Sequence, residues 1–252
     1  MEFLGVNLDI KNLPELDPEL PLVRELRRSG YPMILFGQKS SEFATAWSDC
    51  REAAAEAVRA LWREGVRSLV LVGYHTARYA EWFSAACREC NLALELWPDL
   101  PEKEAVPQLI RNILAERPPA IFLSSCRIAE SLLAAIDAEQ LEYAPRIITI
   151  YHFPIDLVDD PRIAGVIRCD FDGLVKNAAN ALIDQIESPS KDFVRPCTGG
   201  ARFVPYRAFD RLHEPFENIP TQEAEPAAPA AGNDSSGSSN QKGSLQHDFV
   251  SS

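Results

Sequence analysis

The sequence predicts an α/β protein, a parallel sheet with flanking helices, followed by an unstructured tail. Three observations carry this reading. Five short apolar runs are bounded by turn signals: "YPMILFG" (31–37), "SLVLVG" (68–73), "PAIFLSS" (119–125), "RIITIYHF" (146–153) and "IAGVIRC" (163–169). Runs of this kind are strands buried on both faces. The intervals between them carry apolar residues at helical spacing, and strands alternating with helices of that length build parallel sheets. Finally, from Glu214 the chain reads "EPFENIPTQEAEPAAPAAGNDSSGSSNQKGSLQHDFVSS". With so few large apolar residues it cannot offset the entropy of its own ordering.

The elements follow in order. A helical pattern near 17–29 precedes the first strand, and a segment without clear periodicity leads to Asp49. "DCRE" (49–52) fits a capping box, with Asp49 as N-cap and Glu52 reaching back. Val58, Leu61 and Trp62 then recur on one helical face, and Gly65 suits the residue just past the helix end. Further helices are expected over 77–90, about 104–116, 127–138 and 171–187. "CTGGAR" (197–202) reads as a turn, and no helix follows its glycine pair to make a phosphate cradle. The pattern has no internal repeat.

Composition narrows the function. Apolar residues make up 46% of 252 positions, enough for a sizeable core, and the net charge of −12 argues against a nucleic-acid surface. No apolar run is long enough to cross a bilayer. The start, "MEFLGVNLDIKNLPELD", lacks the basic region of a secretory signal. Six cysteines scattered through a long chain suit reduced thiols and a cytoplasmic location. Cys87 and Cys90 form a C-x-x-C late in a helix, away from the helix N-terminus that lowers a thiol pKa. No nucleophile elbow, P-loop, dinucleotide fingerprint or zinc-protease motif occurs, so no catalytic residue, cofactor or metal site is expected.

In open parallel sheets ligands bind outside the carboxyl ends of the strands. The candidates there are Tyr74, His75 and Arg78 after the second run, Ser125 and Cys126 after the third, and His152 and Phe153 after the fourth. Asp49 joins them because it opens a helix after a crossing segment. A guanidinium fork, hydroxyls, a carboxylate and rings form a set suited to a sugar-like small molecule.

Residues 30 to about 205 resemble the effector-binding domain of the lactose-repressor/galactose-repressor family of transcriptional regulators. That domain has the fold of the type I periplasmic sugar-binding proteins. The resemblance lies in "GYPMILFG", "DCREAAAEAVRALWREGVRSLVLVG", "TARYAEWFSAA", "AIFLSSCRIAES", "IITIYHFP" and "IAGVIRCDF", in the family's order and spacing. Arg78 matches the family's cleft arginine, Trp82 its aromatic neighbour, and Asp49 its helix-opening aspartate. Two sugar anchors differ: Ser125-Cys126 stands where the family has Asn-Asp, and Phe153 where it has Asp.

The resemblance implies a ligand-sensing domain of a transcriptional regulator: a homodimer, not an enzyme, with DNA contacted only through a separate module. Three parts are expected: a remnant of a first lobe (1–37), the sensing domain (38–212), made of the second lobe plus segments returning to the first, and an acidic Ser/Gly/Pro/Ala-rich tail (213–252). Two other readings stand beside it. One is a doubly wound α/β enzyme using His75 or His152 with Asp49. The other is a pseudo-sensor that acts only in dimerisation or partner recruitment.

Overall fold

In the computed structural model the described residues are 21–36, 43–73, 76–98, 105–151, 159–188 and 196–219. They form two sheets joined at one set of crossings. Helix α1 (Pro21–Ser29) leads to β1 (Ile34–Phe36) and β2 (Ala44–Ser48), and α2 (Arg51–Arg63) follows. The alternation then continues through β3 (Ser68–Val72), α3 (Thr76–Glu89), β4 (Ala93–Leu96), α4 (Val106–Glu116), β5 (Ala120–Leu123), α5 (Cys126–Ala138), β6 (Arg146–Tyr151) and β7 (Ile163–Cys169). Helix α6 (Phe171–Glu187) comes next, then β8 (Pro196–Gly199) and β9 (Ala201–Pro205). A strap of two 3-10 turns, Tyr206–Arg211 and Phe216–Asn218, ends the described chain.

The larger sheet has the order β4-β3-β5-β6-β7-β9, parallel except for the antiparallel β9. Its strands are apolar on both faces because both faces are covered. Leu69, Leu71, Phe122, Ile148, Ile167 and Phe203 pack against α2 and α3. Val70, Ile121, Leu123, Ile147, Val166 and Val204 pack against α4, α5 and the strap. Each fully buried Leu, Ile or Val contributes about 1.5–3 kcal/mol. The tilted Phe83–Phe122 and Tyr79–Phe122 ring pairs lock α3 onto β5 at 4.9 and 5.0 Å between centroids.

The smaller sheet has the order β1-β2-β8, all parallel. Helix α6 covers it through Leu174 and Ala178 against Ala46, Ile34 and Cys197. The buried Gln185 side chain accepts from Met33 N at 3.1 Å and ties the far end of α6 to the approach of β1.

The structure departs from the sequence reading in several places. β2 and β4 were not expected as strands. "CTGGAR" is not a turn: it is β8, Gly200 and β9, one extended passage shared by both sheets. The capping box is displaced. The N-cap of α2 is Cys50, and Asp49 Oδ1 accepts instead from Arg51 N at 3.2 Å. Among the described residues β2, α6 and β8, all beyond residue 37, join β1 in building the smaller sheet and its cover. The expected tail boundary at 213 falls inside the strap, whose Ile219 is 2% exposed and packs in the same cluster as Val204 and Leu212. The segment "FLGVNL" and residues beyond 219 lie outside the described residues.

Candidate functional site

Strand order places a switch point between β3 and β5. From β3 the chain winds outward through α3 to the edge strand β4, then returns through α4 to β5 on the other side. The crevice outside such a point is where open α/β sheets take their ligands. Gly73 leaves β3 with φ +122°, and a Cβ there would lie 2.2 Å from Ser124 Oγ. Only glycine combines that backbone with so close an approach. Ser124 N donates to Val72 O at 3.2 Å, so the exits of β3 and β5 are zipped together.

Two helices open at this crevice. Helix α3 begins at Thr76, so Arg78 lies in its first turn, although its side chain is outside the described residues. Helix α5 begins at Cys126 behind Ser125, which is extended (φ −153°, ψ 133°). The Ser125 hydroxyl makes no capping bond to α5, while its carbonyl accepts from Ile128 N and Ala129 N. A helix N-terminus with an uncommitted hydroxyl suits an electron-rich oxygen.

Cys126, expected to reach the ligand, turns inward instead. It is 5% exposed, and its thiol donates to Ile150 O at 3.1 Å beside Thr149 Oγ1. Burial pushes its thiol pKa up. The reason is the register of α5: Cys126, Ile128, Ala129, Leu132 and Leu133 are all buried, so the first residue already lies on the core side. The other candidates, Tyr74, His75, His152 and Phe153, lie outside the described residues.

Asp49 belongs to the hinge. The chain passes between the two sheets three times: at Asp49-Cys50, at Asp170 and at Gly200. Asp49 N donates to Gly199 O at 3.0 Å and Asp170 N to Gly200 O at 2.9 Å, so the third passage is bonded to both of the others. The buried thiols of Cys50 and Cys169 meet at 3.7 Å, linking the first passage to the second. Asp170 caps α6 by accepting from Gly173 N at 3.0 Å. The Asp49 carboxylate accepts from Arg51 Nε at 2.9 Å and is partly exposed.

Sequence reasoning missed Cys169, Asp170, Gly199 and Gly200 as hinge residues. A usable signal was present in "CDFDG" (169–173), a capping aspartate directly after an apolar strand. Its meaning as a crossing depends on which sheet α6 joins, and only the tertiary fold states that.

No protein-family model matches the chain, and the comparison with curated proteins finds no match either. Solved structures do match. An Enterococcus faecium LacI family transcriptional regulator with bound ribose is similar at 20% identity, covering 72% of this chain and 71% of its own, with TM-score 0.59. The Cra transcriptional dual regulator of Pseudomonas putida, in complex with fructose 1-phosphate, is similar at 18% identity, covering 76% and 74%, with TM-score 0.63. A periplasmic binding protein/LacI transcriptional regulator of Alkaliphilus metalliredigens, complexed with D-xylulofuranose, is similar at 15% identity, covering 69% and 68%, with TM-score 0.55. The architecture built above from strand order and three crossings is therefore the α/β fold that these LacI-type regulators share with periplasmic binding proteins.

Proposed function

We propose that the chain is a small-molecule sensing domain of a transcriptional regulator, binding a sugar-like effector and catalysing nothing. The observation that carries this is the hinge. Two sheets tied by backbone bonds and a thiol contact at three adjacent passages can change their mutual angle while each core stays intact. A ligand seated beside such a hinge shifts the balance between open and closed forms by its differential affinity for them. On this reading Arg78 and the Ser125 hydroxyl hold the effector from the larger sheet, with Tyr74, His75, His152 and Phe153 as further wall residues. Asp49 contributes from the hinge.

The related structures were solved with ribose, fructose 1-phosphate and D-xylulofuranose, which define the first compounds to try. Cys126 is left out because its thiol serves the core. The reading includes a cytoplasmic homodimer, with DNA contacted through another module, since a net charge of −12 opposes a phosphate surface.

A thermal-shift screen over pentoses, hexoses and sugar phosphates tests this, followed by calorimetry of any hit and product analysis. A compound that raises the melting temperature without turnover is the expected result. Turnover of a bound compound would replace the sensor by an enzyme. No stabilisation by any compound at millimolar concentration would leave a pseudo-sensor that recruits or dimerises.

A further inference from the structure

We propose that Cys50 and Cys169 form a redox-controlled staple across the hinge: a hydroperoxide converts the pair to a disulfide, and the disulfide restrains the angle between the two sheets. The staple belongs to the hinge and does not depend on any effector.

Among the described thiols this pair has a placement of its own. Cys50 is the N-cap of α2 at the first passage, and Cys169 ends β7 at the second. They are 119 residues apart in sequence, and their sulfurs meet at 3.7 Å. The other thiols are placed differently. Cys126 donates to Ile150 O at 3.1 Å, and Cys197 to Asn177 O at 3.8 Å. Cys87 and Cys90 stand at the end of α3, so a bond between them would tie only that helix end.

A disulfide is about 2.05 Å long, so the sulfurs of Cys50 and Cys169 must close by about 1.7 Å. Rotation of the side chains and a small shift of either passage supply that. Backbone bonds already gather the two arms. Asp49 N donates to Gly199 O and Asp170 N to Gly200 O, which anchors the residue beside each cysteine on the third passage. Both thiols are buried, at 0% and 5% exposure, and a buried thiol is inert until it is uncovered. The chain around them is nearer to water: Ser48, Asp49 and Asp170 are partly exposed and Gly200 is exposed. Opening of the hinge bonds, with each core intact, admits a small oxidant.

The first sulfur to be uncovered attacks a peroxide oxygen. The O–O bond breaks, an alcohol (water, from hydrogen peroxide) leaves, and a sulfenic acid remains. The second sulfur then forms the S–S bond and displaces the sulfenic hydroxyl as water. Two thiols and one hydroperoxide give one disulfide, one alcohol and one water. The peroxide takes both electrons, and the two thiol protons end on the alcohol and the water. A dithiol reductant reverses the change. While the bond lasts, two of the three passages are joined covalently and the hinge loses freedom.

The test treats the full chain with hydrogen peroxide, alkylates it with iodoacetamide and digests it with trypsin without reductant. The expected product is peptide 40–51 joined to peptide 169–176, seen by mass spectrometry and lost after dithiothreitol. Cys50→Ser and Cys169→Ser should each abolish it. Hydrogen exchange should show the amides of Asp49 and Asp170 at least about tenfold slower in the linked chain, with the earlier rate restored by dithiothreitol. That reversal in the parent supplies the control if either variant fails to fold. Two results would overturn the staple. One is absence of the linked pair at a peroxide concentration that oxidises the partly exposed Cys90 and Cys197. The other is a linked chain whose hinge amides exchange as before.

Discussion

Asp170 sits where the chain leaves one sheet for the other, and its side chain answers a purely local need. It accepts from Gly173 N, one of the amides that the start of α6 leaves without an intrahelical partner. Asp170→Ala should lower unfolding stability by about 0.5–2 kcal/mol, and Asp170→Ser should recover most of it. Urea denaturation reads both. Gly165 shows the opposite constraint. A Cβ there would meet the Phe203 ring at 2.5 Å and Val204 O at 2.7 Å. Because one of these neighbours is backbone, Gly165→Ala should cost about 1–3 kcal/mol; an unchanged denaturation midpoint would show that β7 and β9 separate more easily than their ladder implies. Glu56 of α2 is 9% exposed, and burial pushes its carboxyl pKa up, partly countered by the amide of Phe203. The folded state thus holds this proton more tightly than the unfolded state does. Stability from this group is full below the ordinary glutamate range and is lost as pH rises through the raised folded value. Glu56→Gln should flatten that fall, and stability measured from pH 4 to 8 in parent and variant decides it.

Among the elements, legibility followed burial with one exception, β1, which was read from its apolar run as buried on both faces and is instead partly exposed. The central strands β3, β5, β6 and β7 stand out as apolar runs because both of their faces are covered. β4, "ALEL", was silent: it is an edge strand, mostly exposed, and its polar positions are solvated. β2 and β8, "ATAWS" and "PCTG", are short and, apart from Trp47, built of small or polar residues. Their strand character comes from pairing with each other, across about 150 residues of intervening chain, and no local pattern encodes that. The candidate site was legible to the same degree. The ends of β3 and β5 follow from the alternation, whereas the inward turn of Cys126 depends on the register of α5. The junction of α5 and β7 was equally hidden. Arg162 joins Asp137, near the end of α5, to Asp160, before β7. Its guanidinium holds both carboxyls below their ordinary value of 3.8. A lowered acid pKa stabilises the fold above the unfolded value and loses that contribution as pH falls through the folded one. Arg162→Met should therefore destabilise at pH 7 and matter progressively less toward strong acid.

At the scale of the whole molecule, the two sheets are unequally finished. The larger is covered on both faces by helices and the strap. Among the described residues the smaller has three strands, and α6 covers it from one side. Its surroundings keep large apolar residues in water. Tyr31 is 77% exposed and Phe36 51%, and on α6 Val175, Ile183 and Ile186 are between 39% and 49% exposed. Val175, Ala179, Ile183 and Ile186 follow i, i+4, i+8 and i+11, so they lie along one stripe of the helix. The inner stripe of the same helix, Leu174, Ala178 and Gln185, is already buried on the sheet. A helix apolar on two sides is built to be buried on both. The expected occupant of the outer side is a second copy, consistent with the homodimer proposed above. Light scattering on a size-exclusion column should give twice the monomer mass at micromolar concentration, and the pair Ile183→Glu and Ile186→Glu should shift it to the monomer without unfolding. A monomeric parent that melts in one cooperative transition would mean that the outer stripe of α6 is no dimer seam.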